Sequence, residues 1–368
     1  MKCFSIKPHF FASLYGSMVA TGEISHGKVL SERDMFSSEK FYKKLSQMYN
    51  PWKNNSDYSI SGPIKNSISN AIGLFIPWMN TLAGKLSPEN RNINDVKSLF
   101  KDLLHHLKQK EFAYSYLSNG WDGIILDFQL RLGSNPLTIT EDLLAPVIDF
   151  MADYQENFYN EFWTTNEFNY YNILIKSILD SNYKINLNKG IELLNKWILG
   201  SSPKTPVLIC LNRFLGSIDP EINYNAGYGL HGSPAIHVAP KLIESLNSLL
   251  HEVFHSLIYE SNPFQRRKEV IRMGDQIGSY FKDEESPIPF WTWEELYTHE
   301  IEEIFADFVA GVAYKEIFPK KEFRSSYADS DEFLKPIYER LIENTQLLKE
   351  KGLDKLIESS FKNWKYKK

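Results

Sequence analysis

Apolar positions three and four residues apart organise much of this chain. In residues 246 to 258, Leu246, Leu249, Leu250, Val253, Phe254, Leu257 and Ile258 recur with that spacing and predict a helix with one buried stripe. A longer helix is predicted over about residues 293 to 318, anchored by Ile301, Ile304, Phe305, Phe308, Val309 and Val312 and stopped by Pro319. Between them, PFQRRKEVIRMGDQIGSYF reads as another helix and DEESPIPFWTW as a proline-punctuated loop. Just upstream the period changes. VLICLNRFL reads as a buried strand, IDPEINYNAGYGLHGSP as a turn-rich excursion, and AIHVAP as a second short strand that Pro240 stops.

The first half also reads as mainly helical. NDVKSLFKDLLHHLKQKEF puts Val96, Leu99, Phe100, Leu103, Leu104 and Leu107 on one face behind Asn94, a candidate cap. TEDLLAPVIDFMADYQENFYNEFW resumes that spacing, with a kink or restart at Pro146, and KGIELLNKWIL closes the region at Leu199. IILDFQLRL alternates as a strand would. Residues 1 to about 90 look mixed: GEISHGKVL fits a strand, ERDMFSSEKFYKKLSQMY a helix, and residues 54 to 73 a long irregular connection rich in Asn, Ser and Gly. There is no internal repeat. GSSPKTP after Leu199 looks like a joint, which divides the chain into a mostly helical region of residues 1 to 200 and a second domain of residues 201 to 368. The fold class is α+β, mostly helical, with a small mixed or antiparallel sheet.

With 368 residues, 43% hydrophobic and 24% charged, the chain has an ordinary globular composition and no bias toward disorder. A formal net charge of -5 provides no general basic field, so nucleic acid is not an expected partner. The longest apolar run, AIGLFIPWM, is too short to span a bilayer. The amino end faintly resembles an export signal, but Lys7, Pro8 and His9 interrupt its apolar run; it reads as mature chain, and the expected location is the cytoplasm, with export the alternative. Two cysteines, Cys3 and Cys210, cannot form a disulfide framework or a zinc knuckle. Any metal therefore needs histidine and carboxylate ligands.

That requirement directs attention to SLLHEVFHSLIYE. His251 and His255 are four apart and lie off the apolar stripe, so two imidazoles can reach one ion, while Glu252 sits about 100° round the helix. A random order of this chain would contain such a motif with a probability on the order of two per cent, so the motif alone is only suggestive. The later helix adds to it. Glu303, Ala306, Asp307 and Ala310 share one face, where Glu303 can supply a third ligand, Asp307 can accept from the free N–H of a liganding imidazole, and the alanines permit close approach. Glu300 and Glu302 compete with Glu303, but Glu300 lacks an acid and an alanine at the matching offsets and Glu302 is turned by a full residue.

HEVFH followed by EIFAD resembles the HExxH plus ExxxD signature of the gluzincin zinc metallopeptidases, the thermolysin-like clan, over roughly residues 206 to 318. The resemblance implies Zn2+ held by His251, His255 and Glu303, Glu252 as general base, Asp307 as the acid behind a ligand, and AIHVAP as the edge strand lining a substrate cleft beside a two-helix active-site core. It implies hydrolysis of a peptide or protein by a metal-activated water. No histidine follows Asp307, so the donor to the developing oxyanion must come from elsewhere; candidates are His231, Tyr228, His299, Tyr297 and Tyr327. The contrasting reading is a non-catalytic helical binding module whose motif is vestigial or holds a structural ion.

Other residues carry less chemistry. His105 and His106 point in different directions on one helix, and His237 alternates with Ile236 and Val238 as a solvent-facing strand residue would. NGWDG reads as a turn, and the aromatic run FYNEFWTTNEFNYY as packing between helices. DEESPIPFWTW, between the ligands, could cover the metal as a lid.

Overall fold

A computed structural model gives the fold of the chain and describes residues 3–20, 68–109, 121, 124–125, 128, 136–160, 163–164, 168–179, 182–201, 206–211, 227–229, 235–238, 242, 245–258, 263–281, 283–284, 292–321, 332–362 and 364–366. Strand β1 (Phe4–Pro8) leads into helices α1 (Phe10–Ala20), α2 (Ile68–Lys85), α3 (Ile93–Lys108), α4 (Pro136–Phe158), α5 (Phe168–Leu179) and α6 (Tyr183–Leu199). Strands β2 (Val207–Leu211), β3 (Gly227–Gly229) and β4 (Ala235–Val238) follow. The chain then forms α7 (Leu246–Leu257), α8 (Pro263–Gly278), α9 (Trp293–Ile317), α10 (Lys335–Glu343), α11 (Thr345–Lys351) and α12 (Leu353–Phe361). The architecture is mostly helical α+β, and among the described residues no helix is long and apolar enough to cross a membrane.

The four strands pair in the order β1-β2-β4-β3. β1, β2 and β4 run parallel, with Ile6, Ile209 and Ile236 in register, and β3 is antiparallel to β4, so the sheet is mixed. β2 is an almost wholly buried VLICL run, as an inner parallel strand requires. β1 comes from the first two hundred residues and β2 from the rest, so both regions contribute to one sheet. AIHVAP was expected at an edge, but β4 is an inner strand and the edge beside it is the three-residue β3. The same register sets His237 beside Cys210 on the face that α2 covers. There His237 is fully buried and its Nε2 donates to the Met79 carbonyl at 3.2 Å, contrary to a solvent-facing position.

Three local expectations also change. Ile124, Ile125 and Phe128 are helical and buried, so the described part of IILDFQLRL is not a strand. The stretch expected to be irregular up to residue 73 already enters α2 at Ile68. Asn92, and not Asn94, caps α3, its side chain accepting from the Asn94 N–H. Helix α4 starts at Pro136, a residue suited to a first helical turn, and runs unbroken through position 146. Helix α6 ends on Gly200 in the left-handed region at φ 66°, a common helix stop. The aromatic run does pack between elements: Phe158, Tyr159 and Trp163 surround Phe10. The strand and helix read in residues 21 to 49 lie outside the described residues.

Candidate metal centre

Two well-capped helices deliver the site. The Ser245 hydroxyl caps α7 by accepting from the Ser248 N–H. Thr292 and Glu295 form a reciprocal capping box at the start of α9, with contacts of 3.2 and 2.8 Å. From Ile301 to Ala313 every residue of α9 is buried, so the helix runs through the core and lies against α7 and α8. Acids on such a helix are costly unless partnered, and Glu303 and Asp307 find partners on α7.

His251 Nε2 lies 2.9 Å from Glu303 Oε2, His255 Nε2 lies 3.3 Å from Glu303 Oε1, and the two Nε2 atoms are 3.1 Å apart. One donor atom from each residue falls within 4.8 Å of the others. A tetrahedral ion with bonds of ~2.0–2.1 Å sets its donor atoms ~3.3 Å apart, so this trio fits a small divalent cation with little movement. Two imidazoles and one carboxylate suit zinc or a similar transition metal better than calcium or magnesium, which prefer all-oxygen shells. Asp307 Oδ1 is 2.9 Å from His251 Nδ1; a carboxylate can only accept, so Nδ1 carries the hydrogen and Nε2 is the atom that could reach a metal.

The charges follow from the packing. Burial opposes a proton on His251, but hydrogen bonds to Asp307 and Glu303 outweigh it and raise its pKa well above the ordinary value. His255 is raised in the same way, with the Glu303 carboxylate overcoming burial. Burial likewise disfavours ionised Glu303, yet the two imidazoles hold its pKa well below the usual carboxylate range. Glu252, half-buried beside His251, adds negative potential to both histidines.

The structure thus brings together His251, His255, Glu303 and Asp307 as the spacing predicts, with Glu252 beside them. Among the described donor candidates, His299 comes closest: its Nε2 lies 3.7 Å from Glu303 Oε1 and its side chain is 33% exposed. Tyr297 goes elsewhere, buried against Phe281, Trp293 and Phe333. His231, Tyr327 and the Tyr228 side chain lie outside the described residues, as does most of the candidate lid. Sequence reasoning missed the residues that set α9 in place. On α8, a Cβ on Gly274 would sit 2.8 Å from the Thr298 backbone nitrogen, and one on Gly278 2.5 Å from that of Glu294. The four-residue spacing of these glycines in MGDQIG was the available signal. His105 meets Gln109 and His106 stacks on Trp121, so neither joins the centre. Comparison of the chain with protein-family models, with curated proteins and with solved structures returned no match.

Proposed function

We propose that this protein is a zinc-dependent metallopeptidase that hydrolyses peptide or protein substrates, with the metal on His251, His255 and Glu303. The observation that carries the reading is the convergence of two Nε2 atoms and one carboxylate, from helices far apart in sequence, at spacings suited to one ion. Zinc bound there would polarise a scissile carbonyl and lower the pKa of water to about 7. The Glu252 carboxylate then takes the proton of the attacking water and passes it to the leaving amine. Asp307 keeps His251 in the required tautomer and orientation through Nδ1. His299, partly exposed beside Glu303, is the described side chain best placed to donate to the developing oxyanion. Cys3 and Cys210 are both free thiols, which supports a cytoplasmic location.

The test compares the purified protein with Glu252→Gln on casein while zinc is measured in both. Zinc should stay bound in the variant and hydrolysis should fall by about 10²–10⁴-fold. Equal hydrolysis by two zinc-loaded proteins would exclude Glu252 as the base.

A further inference from the structure

At the opposite edge of the sheet from β3, the strand that α7 packs against, β1 borders a cavity of about 370 Å³. Pockets of this size accommodate small ligands or a few residues of peptide. Ile6, Lys7 and Pro8 of β1 form one wall, and Asn172 and Ile175 of α5 face them. Phe10 and Trp163, in edge-to-face contact at 5.4 Å, give it an aromatic lining.

Three features of this cavity point to one kind of occupant. Lys7 is neutralised by Glu89 at 2.7 Å, but the Arg91 guanidinium, 3.9 Å above the Tyr159 ring, has no hydrogen bond or ion pair among the described residues. The half-buried Asn172 amide is also without a hydrogen-bond partner among them. Among the described residues β1 is an edge strand, and its ladder phase follows from the Val207 N–H donating to the Cys3 carbonyl at 2.9 Å. In a parallel ladder alternate residues face the partner, so Cys3, Ser5 and Lys7 turn to β2, while Ile6 directs its N–H and C=O to the side on which no described strand pairs.

We propose that this cavity binds an extended peptide carrying a carboxylate. The peptide adds to β1 as a further strand through the Ile6 amide groups, an apolar side chain enters against Phe10 and Trp163, and its carboxylate meets Arg91. Asn172 supplies an additional polar contact. The site is independent of the metal centre and of the reaction assigned to it.

Titration calorimetry on the full-length Glu252→Gln chain, where hydrolysis does not compete, tests the proposal. The probes are acetyl-Val-Thr-Val-Phe as free acid, the same peptide as C-terminal amide, and that amide extended by one glutamate. The free acid, the glutamate peptide, or both should bind at least tenfold more tightly than the neutral amide; which one does so separates a terminal carboxylate from a side-chain one. Arg91→Gln, an exposed position, should bring the tighter probe to the level of the neutral amide without moving the melting temperature. Of two further free acids N-methylated at the Thr or at the following Val, one should lose binding, because alternate amides face the strand. Absence of binding by all probes, equal binding of the neutral amide, indifference to Arg91→Gln, or full binding by both methylated peptides would overturn it.

Discussion

His251, His255, Glu303 and Asp307 are each less than a tenth exposed, and such a group of ionisable side chains is tolerable in a core only because every member has a partner. Asp307 touches no ligand position itself; it fixes the hydrogen on His251 Nδ1. Asp307→Asn should therefore leave the fold intact and weaken zinc binding by about 10–100-fold, measured by competition with a chromogenic chelator. Unchanged affinity would contradict that role. A second prediction concerns two histidines away from the metal centre. Burial lowers His9 to about 4 and His237 to about 3, so both are neutral in the folded protein where the unfolded chain is already protonated. The unfolded state binds more protons below about pH 6.5, so stability falls as the pH drops from there toward 4, by up to about 1.4 kcal/mol per pH unit for each imidazole. Urea unfolding at pH 7 and at pH 5.5 should show a smaller acid-induced loss in His237→Gln than in the wild type. The same loss in both would rule out His237 as a contributor.

Helices α7 and α9 were legible because a 3.6-residue period fixes which side chains share a face, whatever the rest of the fold does. That is why His251 with His255, and Glu303 with Asp307, could be paired from spacing alone. The strands were less legible. A three-residue β3 of sequence GYG has no apolar alternation, so nothing local showed that β4 would be covered on that side and become an inner strand. Ile124, Ile125 and Phe128 have helical spacing, while Leu126, Phe128, Leu130 and Leu132 alternate with polar residues, and a short apolar run does not decide between the two. The glycines of α8 set how near α9 approaches, and with it where Glu303 lies. Gly274→Val should cost about 1–3 kcal/mol by overpacking, and should also lower zinc occupancy by displacing the ligand-bearing helix. Chemical denaturation and metal content measured on the same sample check both parts; a destabilised variant with full zinc affinity would separate α8 packing from the site.

At the scale of the whole molecule, the contacts that close the fold join residues far apart in sequence, and local patterns carry no information about them. β1 pairs with a strand two hundred residues later, which composition across residue 200 did not indicate. Arg266 ties four elements together: only 1% exposed, it pairs with Asp354 at the start of α12 at 2.6 Å and donates to the carbonyls of Ile258, after α7, and Ile198, in α6. Asp354 is itself 45% exposed, so the ion pair is partly screened, and the two buried carbonyls account for most of the effect. Arg266→Leu should destabilise the protein by about 2–5 kcal/mol in chemical denaturation, and a loss below ~1 kcal/mol would show that water replaces those bonds. All of these contacts bear on the proposed function through one outcome, the meeting of His251, His255 and Glu303. Zinc bound per chain, measured after exhaustive dialysis in the wild type and in Glu303→Ala, tests that meeting most directly. One zinc per wild-type chain and markedly weaker binding in the variant is the predicted result, whereas a wild type that retains no zinc, or a variant that retains as much, would contradict it.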